Sequence, residues 1–370
     1  MRINRLLIAG IVSVGLLTSC ASDNDVKSTT TKETSAKIAI SMSGASVSST
    51  TKTSASTTGD EATLNRLTVG LFDANGNKIS ITELSSSDFS TTSGTTTATV
   101  TGTTLATDVV IAANAATGIF DNVKTKSAFL AITSDLNYTS SADASSTGGA
   151  LQYSTALPME GEGTVTISGT AGTASVPLTR LVSKISLAGV TTSFDASGAY
   201  AGATFTPTEV FLYNVPSTTQ FNHSSPYVSS PTYLQGEIAN TTNYEKYLGS
   251  GSISTLSTPY TFYTFPNNTT SKTKLVIKGT FTPSGGTAVT VYYPVIINHV
   301  MTGTTTDGTT AYTADGGTDG LIQPNKVFNI SVTITSKGVS SVTDEITNAN
   351  VTLTVTVNDW ASTLTQNVIF

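Results

Sequence analysis

Apolar residues fall on every second position in run after run of this chain. Ile38, Ile40 and Met42 share one face of a short segment, Leu67, Val69 and Leu71 of another, and Phe328, Ile330, Val332 and Ile334 of a third. Val351, Leu353, Val355 and Val357 alternate with Thr352, Thr354 and Thr356 in the same way. A period of two is the signature of a strand with one face in a core and one in water. Between Leu71 and Ile79, Ala74-Asn75-Gly76-Asn77 supplies the turn residues of a tight hairpin, which returns through Ile79 and Ile81. Further strands are expected at 95–101, 108–113, 164–168 and 174–188, then at 209–215, 274–281, 289–298, 328–335 and 351–357. Only 121–135 reads as helical. Beyond Asn358-Asp359-Trp360, the even positions Leu364, Val368 and Phe370 carry the apolar pattern onward. An apolar strand in such a place is expected to be paired.

The spacing of these runs predicts an all-β protein of two tandem β-sandwiches, transthyretin-like or Greek-key, with few short helices. The expected organisation is a signal segment at 1–19, a flexible tether at 20–36, a first sandwich at 37–188 and a second at 189–370. The first sandwich opens with a strand at 37–43. A long Ser/Thr/Ala/Gly loop at 44–64 follows it, unusual inside a sheet. Turn-rich loops such as 305–320 separate the strands of the second sandwich.

Composition narrows what such a protein can do. Ser and Thr supply 119 of the 370 residues, only 11% are charged, and the formal net charge is −6. Eighteen Lys plus Arg against twenty-four Asp plus Glu provide no basic stripe for phosphates, which argues against nucleic-acid binding. Thr, Ser, Val and Ile outweigh the helix formers, so a helical bundle is disfavoured. Small net charge with ample apolar content also disfavours intrinsic disorder.

The single cysteine carries the clearest signal. Arg2 and Arg5 form a positive start, an apolar run spans 6–17, and Leu17-Thr18-Ser19-Cys20 follows. This is a bacterial lipobox, in which cleavage before Cys20 leaves a lipidated cysteine at the new amino terminus. The apolar run is too short to span a bilayer as a permanent helix, whereas several acyl chains make a stable anchor. Cys20 is thereby committed to lipid, and no disulfide is available to the fold.

Catalytic chemistry finds little support. His223 and His299 are far apart and lack the His-x-x-x-His spacing of zinc hydrolases. Ser49-Thr50-Thr51-Lys52 matches Ser-x-x-Lys formally, but in a Ser/Thr tract instead of at a helix start. Asp307-Gly308, Asp315-Gly316 and Asp319-Gly320 lack the spacing of a calcium loop and read as turns. No cofactor, metal site or enzymatic activity is expected. The aromatics Phe211, Tyr213, Tyr227, Tyr233, Tyr247, Tyr260, Phe262 and Tyr263 leave a second reading open, a surface glycan-binding lipoprotein.

Taken together, the lipobox, the tether, the apolar first strand, the loop with a basic residue and Leu67-Thr-Val-Gly-Leu-Phe72 resemble the fimbrillins, or type V pilins, of Bacteroidales. The similarity continues through Asp108-Val-Val-Ile-Ala-Ala-Asn114, Ala156-Leu-Pro-Met-Glu-Gly161 and Arg180-Leu-Val-Ser-Lys184. It extends to Tyr292-Tyr-Pro-Val-Ile-Ile-Asn298, Asn325-Lys-Val-Phe-Asn-Ile-Ser-Val-Thr-Ile334 and Val357-Asn-Asp-Trp360. The resemblance implies a lipoprotein that reaches the outer membrane, where an Arg- or Lys-specific protease cuts the loop after the first strand. The displaced strand would be that of Ile38, Ile40 and Met42, and the candidate cut follows Lys52, the only basic residue between 44 and 64. A donor strand from another copy would fill the groove by β-strand addition. Its knobs would be Val351, Leu353, Val355 and Val357, or Leu364, Val368 and Phe370, with Trp360 between the two halves. The implied role is a polymerising stalk subunit of a surface fimbria supporting adhesion and biofilm formation, with tip and anchor subunits as partners and a host or bacterial surface as ligand. An anchor or tip subunit is the variant of that role.

Overall fold

The computed structural model describes residues 33–43, 60–92, 95–136, 157–234, 246–247, 260–301, 303–347 and 350–359. Cys20, Lys52, Trp360, Leu364, Val368 and Phe370 lie outside them. The first half contributes β1 (Ser35–Ser43), β2 (Arg66–Phe72), β3 (Lys78–Ser85), β4 (Phe89–Thr92), β5 (Thr95–Thr103), β6 (Asp108–Ala113), β7 (Thr133–Asp135), β8 (Met159–Ser168), β9 (Ala171–Pro177) and β10 (Thr179–Arg180). The second contributes β11 (Ser183–Thr192), β12 (Thr204–Tyr213), β13 (Val215–Pro216), β14 (Thr218–Gln220), β15 (Tyr233–Leu234), β16 (Lys246–Tyr247), β17 (Tyr260–Thr264), β18 (Lys274–Thr282), β19 (Val289–Ile296), β20 (Lys326–Ile334) and β21 (Val351–Asp359). The chain is therefore nearly all β, as its periodicity predicts.

Eight strands of the first half form one continuous path in the order β3-β2-β6-β8-β9-β1-β5-β4, with β10 on the side of β8. β8 makes the corner. Its residues Met159 to Thr164 pair with β6, and Val165 to Ser168 pair with β9. The path thus folds over on itself: a Cβ added at Gly102 of β5 would lie 2.6 Å from Leu71 Cδ1 of β2. Gly163 is required at the fold, since a Cβ there would meet Ser175 O at 2.5 Å. β2 and β6 are buried on both faces, which explains their unbroken apolar runs. One face of β2 and β6 joins the main core through Leu67, Val69, Leu71, Val109 and Ile111. The other is roofed by Phe120, Phe129 and Phe221, with Phe120 stacked on Phe129 at 4.2 Å.

The second half stacks two four-stranded sheets, β17-β11-β20-β21 and β16-β12-β18-β19. Their inner residues, among them Ile185, Phe328, Ile330 and Val332 on one side and Val210, Leu275, Ile277 and Tyr293 on the other, belong to the same core as the first half. β14 reaches back to pair with β7. From Thr34 onward the chain clusters as one unit.

Two expectations need correction. The helix expected over 121–135 shrinks to α1 (Lys126–Leu130), capped by the Thr125 hydroxyl on Ala128 N at 3.1 Å. Past Ala131 the chain becomes β7, because pairing with β14 outweighs a weak helical preference. The single strand expected over 174–188 is three, β9, β10 and β11, broken around Pro177, which has no N–H for a ladder. The Asn75-Gly76 hairpin forms as expected: Asp73 Oδ1 accepts from Asn75 N and Asn77 N at 2.8 Å each, and Gly76 takes φ +76°.

Candidate functional site

β1 occupies an unusual place for the first described strand of a chain. It lies inside the sheet, antiparallel to β5 from Ser35↔Thr103 to Met42↔Thr96, and parallel to β9 from Lys37↔Ala171 to Ser43↔Pro177. Both edges of its backbone are consequently used. Ala36, Ile38, Ile40 and Met42 are at most 1% exposed, while Ser35, Lys37, Ala39 and Ser43 face water. No tight turn joins β1 to either neighbour; residues 44–59, outside the described residues, separate it from the rest of the chain.

Side-chain sizes beside β1 are lopsided. On the buried face β5 presents Thr96, Ala98, Val100 and Gly102, and β9 presents Gly172, Ala174 and Val176. Of these three strands, β1 supplies the largest buried side chains. Full burial of Ile38, Ile40 and Met42 contributes roughly 5–9 kcal/mol at the usual value per side chain. Small residues on both walls have no reach to close the space that their loss would open.

The loop that follows β1 returns to a firmly held point. Glu61, in the 3-10 turn Asp60–Ala62, has no exposed surface. Its Oε1 accepts from Lys184 Nζ at 2.8 Å and from the Tyr263 hydroxyl at 2.6 Å, and its backbone oxygen accepts from Arg180 Nε at 2.9 Å. Next along the chain, Asn114, at φ 58°, donates from Nδ2 to Thr63 O and accepts Asn65 N on Oδ1, each at 2.9 Å. Sequence reasoning missed this clasp. Its one visible signal is the Asp60-Glu61 pair at the end of an otherwise acid-free loop, with the cations near Glu61 119 and 123 positions away.

At the other end, β21 pairs with β20 from Ile334↔Val351 to Lys326↔Asp359. Val351, Leu353 and Val355 are 0%, 3% and 4% exposed, buried in the protein's own core, and Val357 is half-buried. The outer edge of β21 is held as well: Thr305 N donates to Leu353 O at 2.9 Å, and Val355 N donates to Thr305 O at 2.8 Å. Lys326 reaches the Asp359 carboxylate at 2.6 Å, the main cause of its raised pKa.

Among the described residues, the two histidines and the three Asp-Gly pairs do not converge on one site. His223 Nδ1 meets buried Glu160 at 2.5 Å, while His299 Nδ1 meets Asp319 at 2.7 Å. Asp307 holds its own turn through Thr309 N and Thr310 N, Asp315 faces Lys326, and Asp319 holds His299. Among the described residues, no three His, Cys, Asp or Glu side chains cluster as a metal site. Of the aromatics considered for sugar stacking, Phe211, Phe262 and Tyr263 are buried, and the Tyr233 hydroxyl bonds Thr269 Oγ1 at 2.6 Å.

No protein of curated function matches the sequence. A protein assigned to cell adhesion from Bacteroides eggerthii shares 24% identity, with 88% of this chain and 96% of that one covered and a TM-score of 0.61. A second, from Parabacteroides distasonis, shares 21% identity over 88% and 99%, at a TM-score of 0.58. The fimbrilin FimA of Porphyromonas gingivalis shares 18% identity over 88% and 97%, at 0.54. These likenesses establish the fold. Residues 36–191, which run from β1 into β11, match the family of the major fimbrial subunit protein, FimA. The family match is confined to these residues; beyond them, the likeness to the fimbrilin FimA is one of fold.

Proposed function

We propose that this protein is a stalk subunit that polymerises by exchanging β1 for a strand of another copy. The observation that carries the reading is the position of β1, central in its sheet, supplying the large knobs between small-walled neighbours, and joined to no neighbour by a turn. A cut after Lys52 by an Arg- or Lys-specific surface protease separates β1 from the chain that Glu61 secures. The donor is 360–370, with Leu364, Val368 and Phe370 as its knobs. Val351, Leu353, Val355 and Val357 remain with β20, because freeing β21 would strip their own core and break bonds on both edges. Trp360 starts the donor where β21 ends. Cys20 carries the lipid that holds the precursor at the outer membrane, tip and anchor subunits complete the fimbria, and a host or bacterial surface is its target. We place the divide between the two sandwiches just ahead of Ser183, since β11 pairs with β17 and β20.

Treating the purified full chain with a Lys/Arg-specific protease tests this. Cleavage within 44–59 should convert monomers into detergent-resistant ladders, and Lys52→Ala should prevent it. Ladders that persist after deletion of 360–370 would rule out the donor.

A further inference from the structure

A cleft of about 500 Å³ is formed by the start of β2, the turn that follows β6, and β7. Local devices set its walls. Asn114, at φ 58°, turns the chain out of β6 and donates its backbone N–H to Arg66 O at 2.9 Å. Ala115 O is thereby brought to the Arg66 guanidinium and accepts from Nη1 at 3.0 Å. β7 is held by β14, with Leu136 N donating to Ser217 O at 2.9 Å. Ile119, Leu136 and Pro158 give the cleft an aliphatic lining, Thr117 adds a hydroxyl, and the described lining includes no aromatic ring. Its charged residues are Arg66 and Asp135.

Arg66 is half-buried. So are Lys126, Lys184, Lys278 and Lys326, and each of these meets a carboxylate at 2.6 to 3.1 Å. Among the described residues, Arg66 meets no carboxylate and Asp135 no cation within ion-pair distance. A guanidinium carries five donors in a planar fork that matches a carboxylate, and Ala115 O occupies one of them. We propose that the cleft binds a small aliphatic zwitterion, an amino acid or a short peptide, with its carboxylate on Arg66 and its ammonium on Asp135. The volume falls in the range of small-molecule sites, about 300–1,000 Å³. One positive and one negative wall disfavour a polyanion. The lack of an aromatic platform disfavours a sugar ring, whereas the Ile119, Leu136 and Pro158 side chains suit an aliphatic one. No residue of β1 lines the cleft, so the proposal does not depend on strand exchange.

Saturation-transfer NMR on the full chain with L-leucine, Leu-Leu and Leu-Leu-Leu tests this. Methyl signals should appear for at least one of the three at millimolar concentration, and the length that binds best separates an amino-acid site from a peptide site. Asp135→Asn, at an exposed position that should keep the fold, should weaken the apparent affinity about tenfold or more, as expected for a lost charge-assisted contact. Arg66→Gln should abolish the signals, with thermal unfolding to show that this variant is folded. N-acetyl-leucine, which lacks the ammonium, should bind the native and Asp135→Asn chains alike. Absence of transfer to all three probes, undiminished transfer in Asp135→Asn, or equal transfer to leucinamide or galacturonate would overturn the proposal.

Discussion

The Tyr263 hydroxyl donates to Glu61 Oε1 at 2.6 Å, across 202 positions of sequence, while Lys184 Nζ holds the same oxygen at 2.8 Å. The first residues after the loop are thereby bound to two strands of the second half, β11 and β17. Glu61→Ala removes the anion and leaves Lys184 and Arg180 without it in a mostly dry site. The expected loss is about 3–5 kcal/mol. Tyr263→Phe, which deletes one charge-assisted bond, should cost about 1.5–3 kcal/mol. Urea unfolding of the two variants measures both, and equal losses would show that the charge of Glu61 is not what matters.

A second pair couples stability to pH. His223 donates its backbone N–H to Glu160 Oε2 at 2.8 Å and meets it again through Nδ1. The hydrogen bond to Glu160 is the chief cause that raises the His223 pKa above 6.5, with burial opposing it. A proton held more tightly in the folded protein adds stability that is complete below the unfolded value. That stability is lost as pH rises through the raised folded value. Denaturant midpoints should therefore decline from about pH 6 upward through neutrality, and His223→Gln should flatten that slope.

On β1, Ile40 lies between Ala98 and Ala174. Ile40→Ala should destabilise the uncut protein by about 2–5 kcal/mol, at the upper part of that range because the walls cannot collapse. Thr82→Ala, on the partly exposed β3, should change stability by no more than about 0.5 kcal/mol. Thermal unfolding of the two variants makes the comparison.

Thr305 holds the outer edge of β21 through two backbone bonds. Thr305→Pro deletes the one donated to Leu353 O, worth about 1 kcal/mol. Hydrogen exchange at the Val355 amide should accelerate roughly fivefold, while amides of β2 keep their rates. An unchanged Val355 rate would mean that β20 alone secures β21.

How much of this was legible beforehand differs by element. Alternation in β1, β2, β20 and β21 was plain because each has a face in the core, and the Asn75-Gly76 turn is set by local chemistry. β7, β14 and β17 escaped notice because partners distant in sequence hold them, and β4 because its hairpin with β5 carries a single apolar residue, Phe89. Pro177 divided what read as a continuous strand. The importance of Ile38, Ile40 and Met42 could be read from their spacing, yet the small residues facing them could not. Which residues stand beside Ile38 depends on the register of β5 and β9, a long-range property that periodicity does not specify. The Glu61 clasp was invisible for the same reason.

The absence of a turn between β1 and either neighbour has a thermodynamic consequence. A strand joined through a long connection is in effect a ligand of its own sheet, kept bound by an effective concentration on the order of millimolar. One cut leaves every contact of β1 unchanged while turning its return into a bimolecular event. Release of the strand is then a matter of dilution, and the peptide bond in the loop stores the difference.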